Sequence, residues 1–204
     1  IQFLNSSGAW SPDGSTFAMT AARSGRPILA LLRVSRGGLE REIRLDTLDD
    51  ALNPVFAPDG RSLFFSGNVG GVLDLYRLTL ATGDVERLTS DPWADLEPAV
   101  TPDGKGLVFT TERFSTNLES LEAGPLRLAY LDLTTRAVRP IAGFLRGKHI
   151  SPQVSADGST VYFIADPDGV NNIYRIGIDG GPVERLSSLA TGVAGITSAS
   201  PALS

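Results

Sequence analysis

Apolar and polar positions along this 204-residue chain fall into short runs, and one arrangement of runs returns four times. The four stretches are WSPDGSTFAMTA from Trp10, FAPDGRSLFFSG from Phe56, VTPDGKGLVFTT from Val100 and VSADGSTVYFIA from Val154. Each is a short apolar run, a tight-turn signal and a second apolar run. Apolar runs of this length rich in Val, Phe, Leu and Tyr predict strands. No apolar stripe of helical period and length occurs, so no major helix is predicted.

The turn chemistry explains the break between the runs. In Ser11-Pro12-Asp13-Gly14, proline presets φ at the first central position. Aspartate suits the second and can bond its own backbone, and glycine supplies the positive φ that follows. The pairs Asp13-Gly14, Asp59-Gly60, Asp103-Gly104 and Asp157-Gly158 are therefore structural turn residues that close a hairpin. The fourth repeat carries Ala156 in place of proline. A third strand then alternates, as in DLYRLTL from Asp74, RLAYLDL from Arg127 and NIYRIGI from Asn172. A fourth follows a second turn, as in VERLTS from Val85 and VERLSS from Val183.

The turn aspartates are spaced by 46, 44 and 54 residues. Four turn-linked strands per repeat of about 45 residues predict an antiparallel propeller blade. The reading is an all-β propeller with four complete blades, at about residues 7–52, 53–96, 97–150 and 151–199. Residues 200–204 (SPALS) repeat the opening of SPQVSADG and read as the first strand of a fifth. A closed four-bladed ring is one alternative. An open edge is adhesive, so a larger or partner-completed propeller is the preferred one.

Bulk properties narrow the partners. The chain has no cysteine, which excludes disulfides and thiolate metal sites. A net charge of −5 with no Lys/Arg-rich run argues against nucleic acid. No apolar stretch approaches the roughly 18 residues of a membrane span. A start at Ile1 rather than Met points to a processed product or a part of a longer chain.

The proline, turn and apolar pattern resembles the TolB-like β-propeller repeats of bacteria. So do the stretches IYRIGIDGGPVERLS from Ile173 and LYRLTLATGDVERLTS from Leu75. The resemblance runs from about Ser7 to Ser204 and departs at Gly8, where the other repeats have proline, and at Ala156. It implies a periplasmic, protein-binding propeller attached to an envelope complex. Related repeats also cap a hydrolase domain in prolyl-oligopeptidase-like enzymes and follow metalloprotease-like domains in other bacterial proteins.

Candidate chemistry is sparse. His149, the one histidine, would have to serve any Ser-His-Asp triad, but no G-x-S-x-G elbow accompanies it. It reads as an exposed or partly buried loop residue. One histidine without cysteine cannot make a zinc site. DPDGVNN from Asp166 alternates oxygen ligands loosely like a calcium loop, but lacks the downstream glutamate and reads as a β-turn. No phosphate-cradling glycine motif occurs. The sequence therefore assigns no catalytic residue, no cofactor and no metal.

In a propeller the longer links fall on one face, and binding tends to sit on such loops. Here they are residues 45–52, 90–97 and 143–150 and the insertion 112–124 in the third repeat. The residues expected to bind a partner are Trp93, Asp95, Glu97, Phe114, Leu118 and His149. Trp93 reads either as an aromatic anchor with a charged rim or as cover over a blade junction. The insertion, with Phe114 and Leu118, reads as a recognition arm in preference to a solvated hairpin. Asp46, Asp49 and Asp50 are an acidic cluster, ordinarily a solvated one.

Together these readings predict a non-catalytic protein-binding scaffold, extracytoplasmic and peripheral to a membrane-bound complex, with no direct membrane span. The second alternative is a regulatory propeller of a peptidase whose catalytic domain lies outside this chain. The third is a small-ligand or carbohydrate-binding propeller.

Overall fold

The structure is a computed structural model that describes residues 2–3 and 7–193. Its strands form four antiparallel meander sheets, the blades of a β-propeller. Blade 1 holds β1 (Gln2–Phe3), β2 (Ala9–Trp10), β3 (Thr16–Arg23), β4 (Arg26–Arg33) and β5 (Gly38–Arg44), with β1 and β2 both on one edge of β3. Blade 2 holds β6 (Asp50–Phe56), β7 (Ser62–Val69), β8 (Val72–Thr79) and β9 (Val85–Arg87). Blade 3 holds β10 (Asp95–Val100), β11 (Gly106–Thr111), β12 (Arg127–Asp132) and β13 (Val138–Pro140). Blade 4 holds β14 (His149–Val154), β15 (Thr160–Ala165), β16 (Asn172–Gly177) and β17 (Glu184–Arg185). The segment 200–204 lies outside the described residues.

All four Asp-Gly turns close alike. The glycine N–H donates to the carbonyl three residues back at 2.8–2.9 Å, and Gly14, Gly60, Gly104 and Gly158 all have φ between 67° and 76°. Each turn aspartate accepts the N–H two residues on, at 2.9–3.0 Å. Gly60, Gly104 and Gly158 also lie beside Pro12, Pro58 and Pro102 of the preceding blade's turn. The proline is thus a blade-to-blade contact as well as a turn former. Ala156 stands at a turn with no following turn among the described residues.

The second strands of blades 2–4 carry an unbroken apolar run, at residues 63–65, 107–109 and 161–164, and in blades 2 and 3 both faces of that run are buried. Leu63 and Phe65 pack towards blade 1, while Phe64 packs towards blade 3. Leu107 and Phe109 pack towards blade 2, and Val108 towards blade 4. Val161 and Phe163 pack towards blade 3. Phe65, Phe109 and Phe163 hold equivalent positions, and all three are fully buried.

The first strand of blades 2–4 carries a bulge. Register shifts between Leu52 and Val55, Leu96 and Ala99, and Ile150 and Gln153. Inside each shift sits a non-glycine residue at positive φ, Asn53, Glu97 or Ser151, followed by proline. Proline is tolerated there because this is an edge strand at a bulge, where no ladder bond is lost. Blade 1 breaks the pattern for a steric reason. A Cβ on Gly8 would lie 2.2 Å from the Phe17 ring, so no side chain fits where the other blades have proline.

Truncation at the junction of blades 2 and 3 should register directly in stability. Phe109→Ala should lower stability by about 3–5 kcal/mol, the usual cost of emptying an aromatic site in a core. Urea unfolding followed by tryptophan fluorescence measures it. A loss below about 1 kcal/mol would show that the junction relaxes around the cavity.

Candidate functional site

The first strands, bulged in blades 2–4, line one cleft of about 420 Å³, contributed chiefly by residues 7–10, 53–56, 97–100 and 151–154. The lining is mostly apolar and prolyl, and Glu97 is its one charged residue. Glu97 was expected on an exposed rim; it is instead buried inside β10. Its Oε2 accepts the Ser151 N–H at 2.7 Å and the Thr110 hydroxyl at 3.5 Å, tying blade 3 to blade 4. Burial raises its pKa. Trp10, more than half exposed, stands at the cleft against Phe17 at 5.1 Å.

A second constellation lies on the long-loop face. Arg113, at the base of the insertion, pairs with Asp91 and with Asp95 at 3.2 Å, and lies 5.5 Å over the Trp93 ring. Asp95 was also expected on the rim, but it opens β10 and is fully buried. A carboxylate at that depth needs the guanidinium, so it belongs to the scaffold. Trp93 is half-buried under Arg113. Phe114 and Leu118 are exposed.

His149 corrects the loop reading: it begins β14 and is fully buried. Its ring lies against Phe163 at 5.3 Å and Phe144 at 6.1 Å, and neither ring nitrogen has a hydrogen-bond partner. It therefore has no surface on which to meet a partner.

Arg127 is the residue that sequence reasoning missed. Register places it level with Asp74 of blade 2 and Asn172 of blade 4. There, Asp74 and Asn172 each accept a hydroxyl, from Thr89 at 3.2 Å and Ser187 at 2.9 Å. In blade 3 a cation stands instead, and it donates to three carbonyls of the next link: Phe144 at 3.0 Å, Leu145 at 2.5 Å and Gly147 at 2.7 Å. The signal in the sequence was the sign change at one repeat position. The remaining polar loops are consumed locally. Asp49 accepts the Gly70 N–H, Asp46 pairs with Arg44, Asp166 accepts the Lys148 N–H and Asp168 pairs with Arg185. Among the described residues no group of three or more His, Asp or Glu is placed to hold a metal.

Comparison with known proteins follows from this geometry. The family described as the TolB beta propeller domain matches residues 1–127. The chain belongs to that family. The Tol-Pal system protein TolB of Anaeromyxobacter dehalogenans (strain 2CP-C) is 37% identical over 91 residues, 44% of this chain and 20% of that protein. The protein of the same name from Francisella tularensis (strain WY96-3418) is 27% identical over 154 residues, 75% of this chain and 33% of that protein. The crystal structure of TolB from Acinetobacter baumannii superposes with a TM-score of 0.72 at 27% identity, covering 89% of this chain and 43% of that one. The chain thus spans about a fifth to a third of the length of these curated relatives.

Two buried groups give this TolB-type propeller opposing responses to acid. Burial is the main cause of both, and it disfavours the charged form. The His149 pKa falls from 6.5 to about 4, with Arg127 adding to the effect. A neutral His149 therefore supports folding above pH 6.5, and that support is lost as pH falls through about 4. The Asp95 pKa rises from 3.8 to about 6, against the pull of Arg113. Its contribution is full below pH 3.8 and is lost as pH rises through about 6.

Single replacements should separate the two. The stability of His149→Leu relative to wild type should improve as pH falls from 7 to 4, by about 2–4 kcal/mol. That of Asp95→Asn should improve as pH rises over the same range. Urea titrations at a series of pH values report both, and parallel curves for a variant and wild type would dismiss that group as the source.

Proposed function

We propose that this chain is a non-catalytic, protein-binding scaffold of an extracytoplasmic assembly, of the kind that the names of its Tol-Pal relatives describe. The observation that carries this reading is the cleft to which every described blade contributes its first strand, bulged in blades 2–4. Its lining of prolines, small apolar groups and backbone, with Glu97 already committed to Ser151, offers shape and hydrogen bonds. A rigid rim of this kind suits a protein segment, because the site is built before the partner arrives and little ordering is required of it. Family membership supports the same reading. No helix among the described residues is long and apolar enough to cross a membrane.

A photo-reactive phenylalanine analogue at Trp10 tests it in cells of the source organism. One discrete adduct to an envelope protein is expected, and Gln153→Trp, which fills the cleft, should abolish it without changing the melting temperature. A purified chain that cleaves peptides, or adducts scattered over unrelated proteins, would overturn the scaffold reading.

A further inference from the structure

The sequence holds six Asp-Gly pairs, beginning at Asp13, Asp59, Asp103, Asp157, Asp168 and Asp179. Such a pair has a chemistry of its own. With no side chain on the second residue to obstruct it, the glycine nitrogen can attack the aspartyl carboxyl and close a five-membered imide. The fold makes the six pairs unequal.

The attacking nitrogen is restrained alike in all of them. Each glycine N–H donates to the carbonyl three residues back, at 2.8–3.0 Å. The difference lies in the carboxyl. Five of the aspartates accept the backbone N–H two residues on, at 2.9–3.1 Å. Asp13 also accepts hydroxyls from Ser11 and Ser15, Asp103 one from Thr101, and Asp157 those of Ser155 and Ser159. With the Ser11 and Ser155 hydroxyls foremost, these bonds lower the Asp13 and Asp157 pKa values from 3.8 to about 2. Imide closure starts from the neutral acid, which carries the hydroxyl that must leave. Gly60, Gly104 and Gly158 also lie against a proline of the preceding blade, which opposes the movement that closure needs. At Asp168 the glycine is open, but the Val170 N–H and Arg185 both hold the carboxylate.

Asp179 lacks these restraints. It stands in the link between β16 and β17, with its side chain 90% exposed. Among the described residues its carboxylate has one hydrogen-bond donor, Arg139 of blade 3, at 2.8 Å. Gly180 sits at φ 94° and Gly181 at φ 119°, and a Cβ on either would meet nothing within 4 Å. Two glycines in open space let the turn bend until the nitrogen reaches the carboxyl. Arg139 is the remaining brake. It lies 4.6 Å over the Tyr130 ring and also donates to the Ile178 carbonyl at 3.1 Å.

We propose that Asp179-Gly180 is a self-modification site at which the folded chain turns aspartate into isoaspartate. The Gly180 nitrogen bonds to the Asp179 Cγ, and the carboxyl's hydroxyl leaves with the nitrogen's proton as water. Water then adds back to the imide. Opening at the former α-carbonyl breaks its bond to nitrogen, frees an α-carboxylate and leaves the main chain running through Cγ. No oxidant enters and the mass is unchanged. The carboxylate is then carried directly on Cα, while the loop gains a methylene. Arg139 can no longer hold it together with the Ile178 carbonyl. The outer contact between blades 3 and 4 therefore loosens as the protein ages, whatever the cleft binds.

Peptide mapping with electron-transfer fragmentation distinguishes the two isomers, and an isoaspartyl methyltransferase counts them. In folded protein held well below its melting temperature, isoaspartate should accumulate at residue 179 about tenfold faster than at Asp13 or Asp157, the factor set by charge-assisted hydrogen bonds that need not be broken. Arg139→Gln should speed it about twofold to fivefold, the worth of an exposed ion pair. Asp179→Glu, which keeps the charge but closes the larger ring far more slowly, should remove the product. Both side chains are exposed enough for melting curves to match wild type. In the urea-unfolded chain the six rates should converge, because the bonds that separate them are gone. A lead by another of the six in the folded protein, no acceleration in Arg139→Gln, or a lead at residue 179 that persists in urea would overturn the proposal.

Discussion

The fold depends on one constraint: a second strand that lies between two neighbouring blades must bury both its faces. A strand that is apolar on one side only would leave a sheet with nothing to pack against at the next junction. Phe64, Val108 and their neighbours fill one side, while Phe65, Phe109 and Phe163 fill the other. Each blade therefore completes the core of the one before it, and stability is carried by nearest-neighbour junctions. The repeated turns serve this arrangement. An Asp-Gly turn with its proline sets strand one against strand two, and the proline then touches the next blade's glycine.

Polar groups reinforce the junctions at both radii. Near the cleft, the Glu97 carboxylate reaches the Ser151 N–H of the following blade. At the outer strands, Arg41 reaches the Leu80 carbonyl, Arg136 pairs with Glu86, and Arg139 binds the Ile178 carbonyl and Asp179. Exposed pairs of this sort add little individually. Their repetition from blade to blade fixes the relative placement of sheets whose apolar contacts are not directional. This is what lets residues from four blades meet at one cleft with defined geometry.

The architecture was legible because turn chemistry and two-sided burial both leave marks in a single sequence. Asp13, Asp59, Asp103 and Asp157 announce their own hairpins, and runs such as Leu63-Phe64-Phe65 announce their strands. The polar residues at strand starts were not legible. Asp95, Glu97 and His149 follow loops rich in charge and read as parts of them, yet each is buried. A short stretch of sequence gives no sign that a carboxylate will be met by Arg113, eighteen residues on, or by a backbone N–H in the next blade. The dipeptides Asn53-Pro54, Glu97-Pro98 and Ser151-Pro152 did carry a signal. Proline inside a strand requires an edge or a bulge, and the repetition of that pattern marks the bulged strand starts that meet at the cleft. Phe114 and Leu118, on the insertion of the third repeat, are exposed.

Blade 3 shows how a repeat protein acquires an individual surface without disturbing its blade junctions. Where blades 2 and 4 use Asp74 and Asn172 to receive hydroxyls from their own fourth-strand links, blade 3 uses Arg127. A carboxylate or amide oxygen accepts, whereas a guanidinium only donates, so the link that follows must present carbonyls to it. That requirement turns residues 144–147 into a strap with its carbonyls facing inward and Leu145 facing out. The core positions beside it, Leu128 and Val108, keep the pattern of the other blades and stay buried. A single change of sign at the end of one strand thus redirects the adjoining loop while the junction is conserved. The stacked blades supply rigidity through residues that the repeats share, and specificity is left to the few positions where one repeat departs from the rest.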